Sequence, residues 1–172
     1  MKIAITGPES TGKSNLASQL SQHFSTVFVP EYAREYIDNL WRPYNEDDLL
    51  QIAKGQLHLE EKMLPRANKL LFCDTEMTVM KIWSLHKYGR CHPHILQKLH
   101  EQSYGLVLLC NVDLQWEADH QREHPKHRKF FFDWYITELN LQGANYAIVS
   151  GLGNDRLNNA LSEVQKYLDL PI

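Results

Sequence analysis

Between an opening apolar run, Lys2-Ile3-Ala4-Ile5-Thr6, and a helix-forming stretch beginning at Lys13, the chain reads Gly7-Pro8-Glu9-Ser10-Thr11-Gly12-Lys13-Ser14. This is the G-x-x-x-x-G-K-[ST] phosphate-binding loop in its required place between a strand and a helix. The glycines let successive N–H groups turn toward phosphate oxygens, and the following helix adds its positive end. Lys13 is placed to neutralise charge on the β- and γ-phosphates, and the Ser14 hydroxyl to ligate Mg²⁺. A turn that merely capped a helix would leave Lys13 without a purpose. The expected nucleotide site is Gly7, Pro8, Glu9, Ser10, Thr11, Gly12, Lys13 and Ser14 with Asn15 behind them, joined by Arg156 from the last helix. ATP and Mg²⁺ are the cofactors it implies.

Such a loop belongs to an α/β sheet, and the other apolar runs agree. Short strands are expected at Lys2–Thr6, Thr26–Val29, Lys69–Cys73, Gly105–Cys110 and Tyr146–Val149, each followed by a helical pattern. Leu106-Val107-Leu108-Leu109-Cys110 lacks a polar alternate face, as expected for a parallel strand covered on both sides. The expected architecture is α/β and doubly wound. A helix from about Glu46 to Asn68 starts with caps and acids in Asn45-Glu46-Asp47-Asp48. Leu157, Leu161, Val164 and Leu168 mark a closing helix capped by Asn154 or Asp155. Gln115 to Lys129, charged and broken by Pro125, is expected to be a mobile lid.

With 172 residues, 43% of them hydrophobic, no repeat and no linker, the chain reads as one domain, residues 1–172. Its 18 Lys and Arg against 21 Asp and Glu provide no general field for nucleic acid, and a lid accounts for the basic stretch Lys126–Lys129. No apolar run approaches the roughly 18–20 residues of a membrane span, and the opening strand is too short for a signal peptide, so a soluble, cytoplasmic protein is expected. Cys73, Cys91 and Cys110 lack metal-ligand spacing and read as buried free thiols. His92-x-His94 and His120, His124 and His127 stand in charged segments without cysteine partners and read as surface histidines.

Ligands of parallel sheets gather at the carboxyl ends of the strands. Asp74 ends the third strand, where it serves Mg²⁺, takes or orients the acceptor hydroxyl's proton, or does both; a helix-capping role is the alternative. Glu31, Tyr32 and Arg34 follow the second strand, with Tyr32 offering a flat face and Arg34 a fork for oxygens, unless Arg34 is simply solvated. After the fourth strand come Asp113, Trp116 and Asp119, where Trp116 either stacks on a base or packs and Asp113 or Asp119 is expected to bind hydroxyls of the acceptor. Arg122 and Arg128 both qualify as a lid arginine that meets phosphoryl charge.

These residues resemble the ribosylnicotinamide kinase domain of the NadR-like family. The similar segments are Ile5-Thr6-Gly7-Pro8-Glu9-Ser10-Thr11-Gly12-Lys13-Ser14, Val29-Pro30-Glu31-Tyr32-Ala33-Arg34-Glu35-Tyr36, Ile52-Ala53-Lys54-Gly55-Gln56, Leu71-Phe72-Cys73-Asp74-Thr75-Glu76, Ile82-Trp83-Ser84, and Val112-Asp113 with Trp116 ahead of Arg122. The likeness runs from about residue 1 to 156. It implies a kinase-type P-loop fold, a three-layer sandwich with a five-stranded parallel sheet and a short lid. It also implies ATP-dependent phosphorylation of nicotinamide riboside at its 5′-hydroxyl, with Tyr32 and Trp116 sandwiching the nicotinamide ring. Full-length members of that family carry an adenylyltransferase domain ahead of the kinase, whereas this chain opens at the P-loop strand, so joining the mononucleotide to an adenylate is not expected. Gln115 stands where the family usually has Pro, and Ala118-Asp119-His120-Gln121-Arg122 is more polar than usual. Two other readings share the phosphate site: a kinase for another nucleoside or small metabolite, and a regulatory ATPase module.

Overall fold

The computed structural model describes residues 1–169. Strands β1 (Lys2–Thr6), β2 (Phe28–Val29), β3 (Leu71–Asp74), β4 (Leu106–Cys110) and β5 (Tyr146–Val149) form one sheet in the order β2-β3-β1-β4-β5. Every pairing is parallel. β2 is shorter than expected because Thr26 turns its hydroxyl onto the Leu70 carbonyl, 2.6 Å away. β3 starts later because Lys69 adopts φ +64°, a left-handed turn that breaks extension.

The helices are α1 (Lys13–His23), α2 (Tyr32–Asp38), α3 (Glu46–Met63), α4 (Met77–Tyr88), α5 (Pro93–Glu101), α6 (Arg128–Leu141) and α7 (Gly153–Leu168). A capping box between Asn45 and Asp48 starts α3, which ends in a 3₁₀ turn at Leu64–Arg66 rather than running to Asn68. Helix α7 begins one residue before Asn154, so neither Asn154 nor Asp155 caps it; Asp155 instead lies in the first turn, where its charge favours the helix dipole.

Side-chain alternation along the strands sorts the core into two layers. Ile3, Ile5, Phe72, Leu106 and Leu108 pack with Leu16 and Leu20 of α1 and Ala160 and Val164 of α7. Ala4, Val107 and Leu109 face the other way, toward Leu49 and Ile52 of α3, Met80 of α4, Ile95 of α5 and Phe132 of α6. All five residues of β4 are buried, as the absence of a polar alternate required. Cys73 and Cys110 are buried free thiols, while Cys91 is only half-buried in the turn before α5. No helix among the described residues is long and apolar enough to cross a membrane.

Because the strands run parallel, their carboxyl ends share one edge. β3 pairs with β1 so that Asp74 lies opposite Ile5, which sets the carboxylate beside the start of the phosphate loop.

Candidate active site

The phosphate loop requires glycine at two positions. Gly7 has φ +132° and Gly12 φ +75°, and a β-carbon would come within 2.9 Å of the Cys110 carbonyl at the first and of Leu114 Cδ1 at the second. The Thr11 hydroxyl braces the turn by donating to the Pro8 carbonyl at 2.7 Å. Lys13 Nζ donates to the Gly7 and Pro8 carbonyls, both at 3.0 Å, so the ammonium lies across the loop mouth. Ser14 and Asn15 stay exposed in the first turn of α1.

Asp74 is 1% exposed, and neither carboxylate oxygen has a hydrogen-bond partner. Burial first, and then the charge of Glu31, push its pKa up to about 6; Lys13, Ser14 and Arg34 pull the other way. Thr75 follows at φ +87°, a strained conformation for a β-branched residue. The strained turn lets Glu76 cap α4: its carboxylate accepts from Thr78 N–H at 2.6 Å and from the Thr6 hydroxyl at 2.9 Å. Burial raises the pKa of Glu76 as well.

A cavity of about 260 Å³ opens between the phosphate loop and the helices beside it. Glu31 and Arg34 line one side, Trp83 of α4 with Phe131 and Tyr135 of α6 form an apolar wall, and Arg122 closes it from above. Neither Tyr32 nor Trp116 lines this cavity, so the expected sandwich is not formed by that pair. Tyr32 lies against α3 at Gly55, where a β-carbon would sit 2.0 Å from its Cε1. Trp116 packs under Arg128, whose guanidinium carbon is 5.7 Å from the ring centroid. Phe131 and Tyr135, four apart on one helix, carry no motif that marks them in the sequence, and Trp83 stands there only within the family-like segment Ile82-Trp83-Ser84.

Asp113 does not line the cavity; its carboxylate is tied to the turn before α7. It accepts from Gly151 N–H and from Arg156 Nη1, each at 2.6 Å. Arg156 does not line the cavity; it is 5% exposed and supports the phosphate loop from behind, donating to the Thr11 carbonyl at 2.7 Å. Asp119 accepts from Arg34 Nη1 at 2.7 Å and so ties the lid to α2.

The lid covers Gln115–His127, because Arg128 and Lys129 already belong to α6. Instead of hanging free it is folded onto the phosphate loop. The Ser10 hydroxyl accepts from Glu117 N–H at 2.9 Å, and Arg128 donates to the Ser10 carbonyl at 3.1 Å and the Leu114 carbonyl at 2.9 Å. Arg122 donates to the Glu117 carbonyl at 2.5 Å, while its buried Nε has no partner. Of the two candidate arginines, only Arg122 lines the cavity. Glu9 lines the cavity with the rest of the loop, and its carboxylate also accepts from the backbone N–H groups of Glu123 and His124. His120 pairs with Asp38 at 2.8 Å, and the His124 ring packs edge-on to His86 at 4.7 Å, so His124 is a half-buried lid residue rather than a surface one.

A parallel sheet in this order, a phosphate loop after its central strand, an acid on the adjacent strand and an arginine-bearing lid define a P-loop protein of the kinase fold. The chain belongs to the AAA domain family, whose profile matches residues 2–156. It is similar to the trifunctional NAD biosynthesis/regulator protein NadR of Escherichia coli (strain K12), with 32% identity over 123 residues, 68% of this chain and 30% of that protein. It superposes on a NadR protein in complex with NR with a TM-score of 0.85 at 20% identity, covering 99% of this chain and 50% of that one. A NadR complex with NAD and AMP-PNP gives a TM-score of 0.79 at the same identity and coverage. Thymidylate kinase from Ehrlichia chaffeensis shares the fold at a TM-score of 0.64 and 14% identity, over 98% of both chains. The chain thus spans about 30% of the curated relative.

Proposed function

We propose that this chain, acting as one kinase unit, transfers the γ-phosphoryl group of ATP to the 5′-hydroxyl of nicotinamide riboside, giving nicotinamide mononucleotide and ADP. The observation that carries this reading is a single cavity holding a phosphate loop, a carboxylate and a three-ring aromatic wall. The acceptor's ring bears a fixed positive charge, which aromatic faces attract. The similarity to NadR, one structure of which holds NR, supports the same acceptor.

Asp74 and Ser14 suit a divalent cation, because both buried oxygens of Asp74 lack partners next to the first turn of α1. Held there, Mg²⁺ would neutralise charge on the β- and γ-phosphate oxygens. The two carboxylates then divide the work. Glu31 lines the cavity and Asp74 does not, so Glu31 takes the 5′-hydroxyl proton as that oxygen bonds to the γ-phosphorus. The bond from the γ-phosphorus to the bridging oxygen breaks, and its electron pair leaves with ADP. Lys13 and Arg122 meet the developing charge, and the lid excludes water. A cytoplasmic setting, where ATP and Mg²⁺ are abundant, belongs to the same proposal.

The test is ADP release from Mg-ATP against a panel of nucleosides, with the product identified by mass. Selective stimulation by nicotinamide riboside with formation of the mononucleotide is expected. Stimulation by a different nucleoside would overturn the acceptor assignment, and hydrolysis indifferent to any acceptor would overturn the kinase reading.

A further inference from the structure

An acid inside a phosphate loop is a liability, since its charge repels the incoming triphosphate. The P-loop pattern leaves the residue at position 9 free, and here it is Glu9. Its carboxylate is satisfied by the lid: Oε2 accepts from Glu123 N–H at 3.1 Å and from His124 N–H at 3.0 Å, and Oε1 accepts from Glu123 N–H at 3.2 Å. Those two amides are the ones that immediately follow Arg122. On the other side of Arg122, its own N–H donates to the Asp119 carbonyl at 3.0 Å, closing a turn. Arg122 is therefore held between a turn before it and a carboxylate after it. Its Nε is left buried and unpartnered, and the residue lines the cavity. A buried donor without an acceptor is costly unless a ligand oxygen completes it.

We infer that Glu9 is a positioning residue for Arg122: it couples the phosphate loop to the lid, so that the guanidinium is aimed at the transferring phosphoryl group only while the lid is latched. The inference rests on the kinase reading for its catalytic consequence, but the latch itself has a readout of its own. Glu9 lines the cavity, but its carboxylate oxygens are taken up by the Glu123 and His124 amides. Its loss frees the lid segment around Arg122, and a displacement of about 1 Å at a catalytic group costs up to roughly 100-fold in rate.

The experiment compares Glu9→Ala and Glu9→Gln with the wild type, alone and in an Arg122→Ala background. Amide hydrogen exchange read at Glu123 and His124 in the ligand-free protein is expected to accelerate in Glu9→Ala and much less in Glu9→Gln, whose carboxamide oxygen still accepts an N–H. The kcat for phosphoryl transfer is expected to fall roughly 10- to 100-fold in Glu9→Ala, with the Kd for a non-hydrolysable ATP analogue changed less than twofold. In the Arg122→Ala background the Glu9→Ala substitution should cost less than about twofold, because its effect runs through Arg122. Multiplicative losses in the double variant, or unchanged exchange at Glu123 and His124, would overturn the inference. Absence of any nucleoside-stimulated turnover in the wild type would instead strike the kinase reading, with the exchange result standing apart from it.

Discussion

The ring of Tyr32 lies on α3 at Gly55, with only 2.0 Å between its Cε1 and the place a β-carbon would occupy. The next residue, Gln56, accepts from Tyr32 N–H at 2.9 Å and donates to the Asp74 carbonyl at 3.4 Å. Tyr32 is thus a stake that fixes the corner carrying Glu31 and Arg34. Gly55→Ala gains about 1 kcal/mol of helix propensity but forces the ring off its seat, at a cost of roughly 1–3 kcal/mol. The net expectation is a less stable protein by urea unfolding and an acceptor KM raised several-fold more than the KM for ATP. Equal stability with unchanged acceptor KM would return Tyr32 to a passive role.

Asp74 makes the ligand-free protein less stable for the sake of the site. Its pKa, about 6 when folded against an ordinary 3.8, means that the native state holds the proton more tightly than the unfolded chain. Stability therefore falls as pH rises from about 4 to 6, and the ionised carboxylate costs on the order of 3 kcal/mol above that window. Asp74→Asn should abolish transfer yet melt higher than the wild type at pH 7.5, with the difference roughly halved near pH 5 and vanishing only below about pH 4, where the carboxyl is neutral in the unfolded chain as well. Mg-ATP should raise the melting temperature of the wild type more than that of the variant. A variant that melts lower at pH 7.5 would contradict the buried, unpaired state of this carboxylate.

What could be read from the sequence follows physical range. The loop from Gly7 to Ser14 and the strand-end Asp74 were legible because local backbone demands and strand position fix them. The capping box of Asn45 and Asp48 was legible for the same reason. Trp83, Phe131 and Tyr135 were not, since which face of a helix meets a cavity depends on how α4 and α6 pack against the sheet. Tyr32 and Trp116 sat at the right edge of the sheet, but neighbours distant in sequence, Gly55 and Arg128, hold them away from the cavity. The lid contacts of Glu9 were not legible for a related reason: its partners are 114 and 115 residues away.

Trp83 and Trp116 make a direct contrast. Trp83 lines the cavity and stacks on Tyr44 at 6.3 Å, whereas Trp116 covers Arg128. A cationic ring against a desolvated indole gains about 2 kcal/mol, so Trp83→Ala should raise the KM for nicotinamide riboside roughly 10- to 30-fold with little change for ATP. Trp116→Ala should leave acceptor KM within about twofold, while losing some lid order. The reverse pattern in steady-state kinetics would reinstate Trp116 as the stacking residue.

Arg122 and Arg128 separate in the same way. Arg128 spends its guanidinium on the Ser10 and Leu114 carbonyls, contacts that hold the root of the lid, whereas Arg122 lines the cavity and keeps a buried Nε without a partner. Removing a donor aimed at developing charge costs roughly 100- to 1,000-fold in kcat, so Arg122→Ala should lose that much with nearly unchanged thermal stability. Arg128→Ala should melt several degrees lower, because carbonyls near the loop lose their partner, and should lose kcat only in proportion to lid disorder. Lysine cannot reproduce the Nε donor, so Arg122→Lys should recover little of the rate. Single-turnover rates and melting curves on the three variants decide the assignment, and a larger single-turnover loss for Arg128→Ala than for Arg122→Ala would reverse it.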